Sequence, residues 1–108
     1  MKTLNPSSKE RKRYILIKLV SDLKFEKDDV LKLVLQAGLQ FLGELGMAQA
    51  GIQFITDTWN KDKMTGIIRT NHNKVDETKA SLAFIKEYKG KPVTISCLKV
   101  SGAIGNLK

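Results

Sequence analysis

The 108-residue chain is predicted to form an α+β domain in which two helices cover one face of an antiparallel sheet. Short apolar runs rich in β-branched residues alternate with longer helical stretches, in the order β-α-β-β-α-β. A chain of 108 residues suits one domain with a single core. Its 42% hydrophobic and 28% charged residues are typical of a folded globular protein and exclude a disordered one.

The first half of the chain is predicted to contain a strand and a long helix. Residues 14–20 are almost wholly apolar and rich in β-branched side chains, which is typical of a strand covered on both faces. Acidic residues then crowd the start of a helix, where the helix dipole favours them. We expect this helix to run to about Leu45, because Gly46 is placed to end it in the left-handed conformation.

The second half is predicted to contain a hairpin, a second helix and a last strand. Residues 52–59 and 64–70 form the two arms of the hairpin around a polar turn. Asn71 or Asn73 can cap the second helix, and residues 93–100 form the last strand. This order is that of the ferredoxin-like sandwich, which RNA-recognition modules, small phosphatases and ligand-sensing domains share. The fold alone therefore does not decide the function.

The expected domain spans residues 12–105, with a flexible basic arm at residues 1–11 and a tail at residues 106–108. No apolar run approaches the roughly 20 residues that a membrane span requires, and the N-terminus lacks the apolar segment of a secretory signal. Cys97 is the one cysteine and His72 the one histidine, which excludes an internal disulfide and a zinc site built from several such ligands. We therefore expect a cytoplasmic protein.

The charge of the chain favours a polyanionic partner. Nineteen Lys and Arg residues against eleven Asp and Glu give a net charge of +8, with a pI near 9.7. Such a balance is typical of nucleic-acid-binding domains. The positive charge is concentrated in residues 1–18 and again after residue 60, whereas residues 19–50 are slightly acidic. This asymmetry predicts a basic surface on one side of the molecule.

Two basic clusters are the candidate RNA contacts. The first runs into the first strand and could bind phosphates, although such a run also protects a strand edge in solvent. The second is expected at the mouth of the second helix, whose free N–H groups bind anions. Its alternative is an arginine on the solvent face of a strand and a histidine that hydrogen-bonds within a loop. The candidate residues of both clusters are Lys9, Arg11, Lys12, Arg13, Arg69, His72 and Lys74.

The first helix is apolar around roughly 240° of its circumference, more than the 100° or so that a helix on a sheet needs. The stripe through Val30, Val34, Ala37, Phe41 and Leu45 can serve the core of the domain. A second stripe has no obvious cover, and exposed apolar patches of this kind mark protein interfaces. The alternative is a helix sunk deeply between sheet and loops. The second stripe consists of Leu31, Leu35, Leu39 and Leu42.

The residues do not predict base stacking or catalysis. The third strand lacks the aromatic residues on which RNA-recognition modules stack bases, and Trp59 is expected to pack rather than to stack on a base. The sequence contains no paired carboxylates near His72, no phosphate-binding glycine loop and no cluster of metal ligands. Cys97 lies in an apolar strand and is predicted to be an inert core thiol. Acid–base chemistry by His72 beside Arg69 is the remaining enzymatic alternative.

Four segments, in their order and spacing, resemble the archaeal ribonuclease P protein component 2 family. They are Arg13–Ile15, Leu42–Gly46, Gly66–Arg69 with His72 and Val75 behind it, and Val100–Ile104. The resemblance covers about residues 12–105. It implies a ferredoxin-like subunit without catalytic residues of its own. In that family the catalytic RNA, with its magnesium ions, removes the 5′ leader of precursor tRNA.

The resemblance also implies the partners. It identifies ribonuclease P RNA and ribonuclease P protein component 3, in a two-plus-two assembly, as the partners of such a chain, with precursor tRNA as a further contact. Arg69, His72 and the Lys9–Arg13 cluster then become RNA contacts, and the second stripe of the first helix becomes a partner surface. A generic RNA-recognition module and a small phosphate-handling enzyme that uses Arg69 and His72 are the two alternatives.

Overall fold

A computed structural model of the chain describes residues 11–107. Lys9 and most of the predicted basic arm lie outside the described residues. The helices and strands follow the predicted order, with one short strand in addition. They are β1 (Lys12–Ser21), α1 (Lys27–Ala50), β2 (Gln53–Asn60), β3 (Thr65–Asn71), α2 (Val75–Ala83), β4 (Glu87–Tyr88) and β5 (Lys91–Ser101). The prediction of an α+β, ferredoxin-like fold is thereby confirmed.

The strands form one antiparallel sheet in the order β2-β3-β1-β5-β4. At its centre, Ile15 of β1 lies opposite Ile68 of β3 on one side and Val100 of β5 on the other. The additional strand β4 forms a tight hairpin with the start of β5. Its two loop residues, Lys89 and Gly90, both have positive φ angles, as two-residue hairpin turns of this handedness require.

The core lies between the helices and one face of the sheet. Ile15 and Ile17 of β1 are fully buried there, together with Val30 of α1. Each such side chain contributes about 1.5–3 kcal/mol through removal of its apolar surface from water. Because side chains alternate along a strand, Tyr14 and Leu16 point to the opposite face. We call this side of the sheet, away from the helices, the open face.

By length and composition alone, α1 could cross a membrane, contrary to the expectation that no apolar run is long enough. Its Val30, Leu33, Val34 and Ala37 side chains are instead packed in the core, each at most 2% exposed. A helix that covers a sheet needs one buried apolar stripe, and these four side chains supply it. The structure therefore gives α1 the role of the core helix of the domain.

The end of α1 differs from the prediction. Gly46 does not terminate the helix, which continues to Ala50. Gly51 terminates it instead, with φ 62° and its N–H donated to the carbonyl of Met47. Inside the helix, Gly43 has φ 76° and ψ 174°, a conformation that is costly for any residue with a Cβ. The helix is therefore broken at Gly43 and resumes in a new direction.

Two residues expected in the core, Phe41 and Leu45, lie on the surface. Leu45 follows the break and is 72% exposed, because the helical phase that buries Ala37 does not extend past Gly43. Phe41 is 45% exposed and packs instead against Phe84 after α2, with ring centroids 5.6 Å apart. The apolar stripe that serves the core is therefore shorter than the sequence predicts.

A buried polar contact joins β3 to both helices. The Thr70 hydroxyl donates to the carbonyl of Ala50 at 2.9 Å and lies 2.9 Å from the hydroxyl of Thr78, which itself donates to the carbonyl of Lys74. Both threonines are fully buried. Since a buried polar atom without a partner is costly, this contact fixes how the ends of α1 and α2 meet the sheet.

Thr70→Val should lower the free energy of unfolding by about 1–3 kcal/mol, because it leaves the Ala50 carbonyl buried without its donor. Urea unfolding followed by circular dichroism measures the change. Thr94→Val, at an exposed position of β5, is the matched control and should change stability by less than about 0.5 kcal/mol. Equal effects of the two substitutions would contradict the role assigned to the Thr70 hydroxyl.

Candidate nucleic-acid interface

The two predicted basic clusters meet at one end of the sheet. β1 begins where β3 ends, so that Lys12 lies opposite Asn71. One residue further out, the backbone N–H of His72 donates to the carbonyl of Arg11 at 2.8 Å, and His72 Nδ1 lies 3.3 Å from the same oxygen. Residues more than 50 positions apart are thereby brought together. We call this group the basic end; it consists of Arg11, Lys12, Arg13, His72 and Lys74.

Asn71 holds the basic end together instead of capping α2 as expected. Its side-chain oxygen accepts a hydrogen bond from the Lys12 ammonium at 2.5 Å, and its amide donates to the carbonyl of Gln49 at 2.7 Å. Asn71 is buried, so these two bonds tie β1 and the end of α1 to β3. Asn71 thus positions a cation, a role that the capping pattern in the sequence does not indicate.

The start of α2 is less suited to an anion than predicted. No side chain caps it, and Asp76 and Glu77 occupy its first turn. The Lys74 ammonium lies 3.6 Å from the Glu77 carboxylate. Because two carboxylates already occupy the positive end of the helix dipole, a further anion there meets repulsion. His72 is therefore exposed at the surface of the basic end, and Lys74 pairs with Glu77 instead of forming an anion site with the helix N-terminus.

Arg69 lies apart from this group, contrary to the expectation that it reaches the mouth of α2. Its neighbours Ile68 and Thr70 are buried against the helices, so Arg69 points to the open face. There the strand register places it between Gln53 of β2 and Tyr14 of β1. The guanidinium donates to the Gln53 side chain, its Nε is buried without a partner, and among the described residues it has no carboxylate partner.

A groove of about 730 Å³ lies on the open face at Ile67, two residues along β3 from Arg69, which is not part of its lining. Leu16 and Ile67 form its floor, and the turn between β2 and β3 forms one side. The other side includes Leu107, which is only 7% exposed. Leu107 falls in the tail predicted at residues 106–108, but the structure folds it back over the sheet. In the sequence, the one leucine of this otherwise polar tail is the feature that could have predicted its packing.

Trp59 packs within the domain, as predicted, and it also lines the groove on the open face. Its indole N–H donates to the carbonyl of Phe25 at 2.9 Å, and its ring meets Phe54 edge-on at 6.3 Å. Nearby, Lys61 forms an ion pair with Glu26, and the hydrogen bond and charge of Glu26 raise the pKa of Lys61. Lys61 thus remains charged at neutral pH but is already paired.

The second apolar stripe of α1 points away from the sheet. Leu35 and Leu39 are 43% and 48% exposed. Leu31 and Leu42 are half-buried, and Leu31 packs partly against the core. The position of Phe41 on the helix wheel lies well away from this stripe, at 100° per residue, so the Phe41–Phe84 pair is a separate surface feature.

The described residues hold little catalytic chemistry. In the range 11–107, no three His, Cys, Asp or Glu side chains lie close enough to hold a metal ion. Cys97 lies opposite Ile17 and packs against the core, where burial raises its thiol pKa and the charge of Lys79 opposes that rise only in part. A thiol with a raised pKa is a poor nucleophile at neutral pH.

We expect alkylation of Cys97 by iodoacetamide at pH 8 to be slower in the folded chain than for N-acetylcysteine. The thiolate is the reacting form, and the raised pKa lowers its fraction at this pH. Mass spectrometry of timed samples gives the rate. The same protein unfolded in urea is the control and should react at the rate of the free thiol. An equal rate in the folded chain would show that the thiol is neither buried nor shifted.

Comparison with known proteins adds sequence and structural relatives. The model of the Rpp14/Pop5 family matches residues 13–108. Ribonuclease P protein component 2 of Methanocaldococcus jannaschii is 39% identical over 108 residues, which cover 100% of this chain and 78% of that protein. The protein of the same name from Pyrococcus abyssi is 38% identical over 108 residues, with coverages of 100% and 90%.

The fold also has a solved counterpart. A chain in the cryo-EM structure of yeast ribonuclease MRP superposes with a TM-score of 0.64, over 95% of this chain and 79% of that chain. The two sequences are 19% identical, so this likeness concerns the fold. It agrees with the architecture of two helices on one face of an antiparallel sheet.

Proposed function

This chain belongs to the Rpp14/Pop5 family, and from this membership we propose that it is an RNA-binding accessory subunit of ribonuclease P in the cytoplasm. Ribonuclease P removes the 5′ leader of precursor tRNA. The observation that carries the RNA-binding part is the basic end, where pairing of β1 with β3 brings Arg11, Lys12 and His72 together. The surplus of eight positive charges supports the same assignment.

The basic end acts on RNA by neutralising phosphates. Arg11 is exposed, and among the described residues the guanidinium groups of Arg11 and Arg13 form no ion pair. Contacts of this kind position a protein on an RNA without reading its sequence. Each phosphate neutralised releases counterions, which makes the affinity fall with salt. The protein thereby lowers the repulsion between RNA segments, while the RNA and its magnesium ions carry out the cleavage.

The positions of Arg69 and His72 do not favour the alternative of a small phosphate-handling enzyme. Phosphate chemistry by this chain requires Arg69 and His72 to act on one substrate atom. Arg69 instead projects from the open face and bonds Gln53, whereas His72 lies at the end of the sheet against the carbonyl of Arg11. The chain contributes positioning to an endoribonuclease complex and is not itself catalytic.

The outer stripe of α1 supports a protein partner. Leu35 and Leu39 place apolar surface in solvent on the side of α1 that faces away from the sheet. Exposed, contiguous apolar surface of this kind is typical of interfaces. We assign it to ribonuclease P protein component 3, in an assembly of two copies of each protein.

Reconstitution tests the function. Purified chain, component 3 and ribonuclease P RNA should cleave precursor tRNA, and omission of the chain should reduce cleavage at low magnesium. His72→Ala should leave the maximal rate at saturating protein within a few-fold of the wild type, because the residue positions RNA. Asn73→Ala, at the exposed neighbouring position, is the control. A general base would cost about 100-fold or more in maximal rate.

Two results would contradict the proposal. If cleavage does not depend on the chain at any magnesium concentration, the chain is not a functional subunit of the complex. A loss of 100-fold or more with His72→Ala that raised protein concentration does not recover would make the chain catalytic.

Leu39→Lys should abolish the complex with component 3 and leave the domain folded, because Leu39 is half exposed and its replacement adds a charge to an apolar interface. Size-exclusion chromatography of the mixture measures the complex, and thermal unfolding checks the fold. Leu98→Lys is the matched control at an exposed leucine of β5 and should leave the complex intact. If Leu39→Lys forms the complex normally, the partner surface lies elsewhere.

A further inference from the structure

The open face of the sheet carries three rows of side chains that run across the strands. The strand register defines each row, and successive rows are about 7 Å apart because a strand rises about 3.4 Å per residue. The first row is polar and cationic, the second is mainly apolar, and the third is polar and cationic again. In order they are Gln53, Arg69, Tyr14 and Ser101; Ile55, Ile67, Leu16 and Lys99; and Thr65, Lys18 and Ser96.

Arg69 in the first row has an incomplete set of partners. Its guanidinium donates to Gln53, while Nε is shielded from solvent and has no acceptor. A buried donor without an acceptor destabilises the free protein. An anionic group with two oxygens, such as a phosphate, offers the guanidinium the parallel pair of acceptors that one amide oxygen cannot. The first row therefore favours a phosphate as ligand.

The second row forms the floor of the groove. Leu16 and Ile67 line it, and Leu107 and the β2–β3 turn close its sides. Its volume of about 730 Å³ lies within the range of sites that bind small organic groups. Tyr14, half-buried and two residues from Leu16 on the same face, adds an aromatic ring next to Arg69. Tyr14 and Arg69 do not line the groove but lie one row away, about 7 Å along the strands, so a ring seated on Leu16 and Ile67 can have its adjoining anion at Arg69.

The charges around the groove favour an anionic strand. Lys63 lines the groove, Lys99 lies in the second row and Lys18 in the third, and none of the three has a carboxylate partner among the described residues. Asp57 is the one unpaired carboxylate in the lining that the structure describes. A duplex RNA keeps its bases inside and could reach only the cations. An unpaired strand can place a base in the groove and a phosphate on Arg69 at once.

We propose that the open face binds an unpaired segment of RNA, with a base against Tyr14 and Leu16 and the adjoining phosphate on Arg69. The inference rests on the proposed function in that it takes RNA as the ligand. It adds a second RNA site, which lies further along the sheet from the basic end and prefers single strands. The preference arises because only an unpaired base can displace water from the apolar row.

Binding of fluorescein-labelled octauridylate to the full chain, followed by anisotropy at several salt concentrations, tests the site. The wild type should bind octauridylate more tightly than a blunt RNA duplex of the same length. Tyr14→Leu should weaken octauridylate binding about tenfold without changing the salt dependence, because stacking is lost and charge is not. Arg69→Gln should lower the slope of log affinity against log salt by about 0.7.

Matched controls on the helix side should have no effect. Phe84→Leu removes an exposed aromatic ring that is not on the open face, and Lys32→Gln removes an exposed cation of α1. A second measurement needs no variant: octauridylate with a central 4-thiouridine, irradiated on the wild-type chain, should cross-link to the peptide that contains Tyr14 and Leu16. This cross-link decides the case if Tyr14→Leu does not fold.

The outcomes separate this site from the proposed function. Unchanged binding by Tyr14→Leu and Arg69→Gln, equal losses with Phe84→Leu, or cross-links confined to the helices would overturn the open-face site. A chain that restores cleavage in the reconstitution but binds octauridylate no better than duplex overturns the site and leaves the function intact. A chain that cross-links at Tyr14 yet has no effect on cleavage would support the open-face site and contradict the proposed function.

Discussion

The antiparallel register between β1 and β3 is the constraint on which the rest of the molecule depends. It sets Ile15 opposite Ile68 in the core and Tyr14 opposite Arg69 on the open face. It also carries Arg11 to the backbone of His72 at the end of the sheet. A slip by one residue would move every side chain of β1 to the wrong face, so burial of the apolar set enforces the register. The core and both candidate RNA surfaces thus follow from one pairing.

The same pairing divides the surface between two kinds of partner. The helix layer presents leucines at the outer side of α1 in a stretch of chain that is slightly acidic. The sheet presents cations at its end and across its open face. A polyanion and a protein can therefore bind at the same time without competing for surface. Such an arrangement suits a subunit that must hold RNA and a second protein together.

Glycine conformation decides how far the helix layer extends. The break at Gly43 and the left-handed end at Gly51 interrupt an apolar pattern that would otherwise continue to Leu45. The chain after the break leads to β2, and Thr70 and Asn71 of β3 bind the carbonyls of Ala50 and Gln49 at the end of α1. The exposed leucine beyond the break is thus a product of backbone geometry. An apolar count along the sequence does not reveal it.

The sequence by itself determined the order of the main strands and helices, because periodicity and turn residues act over a few neighbours. It predicted β1 to be covered on both faces, but the structure leaves the face of Tyr14, Leu16 and Lys18 without a covering layer. The tertiary structure decided which face Arg69 occupies, how Leu107 folds onto the sheet and where Asn71 finds its partners. These depend on pairing between segments far apart in the chain, which local patterns do not encode. The sequence analysis also missed the strand β4. Its two residues, Glu87 and Tyr88, are too few to show the alternating pattern of a strand.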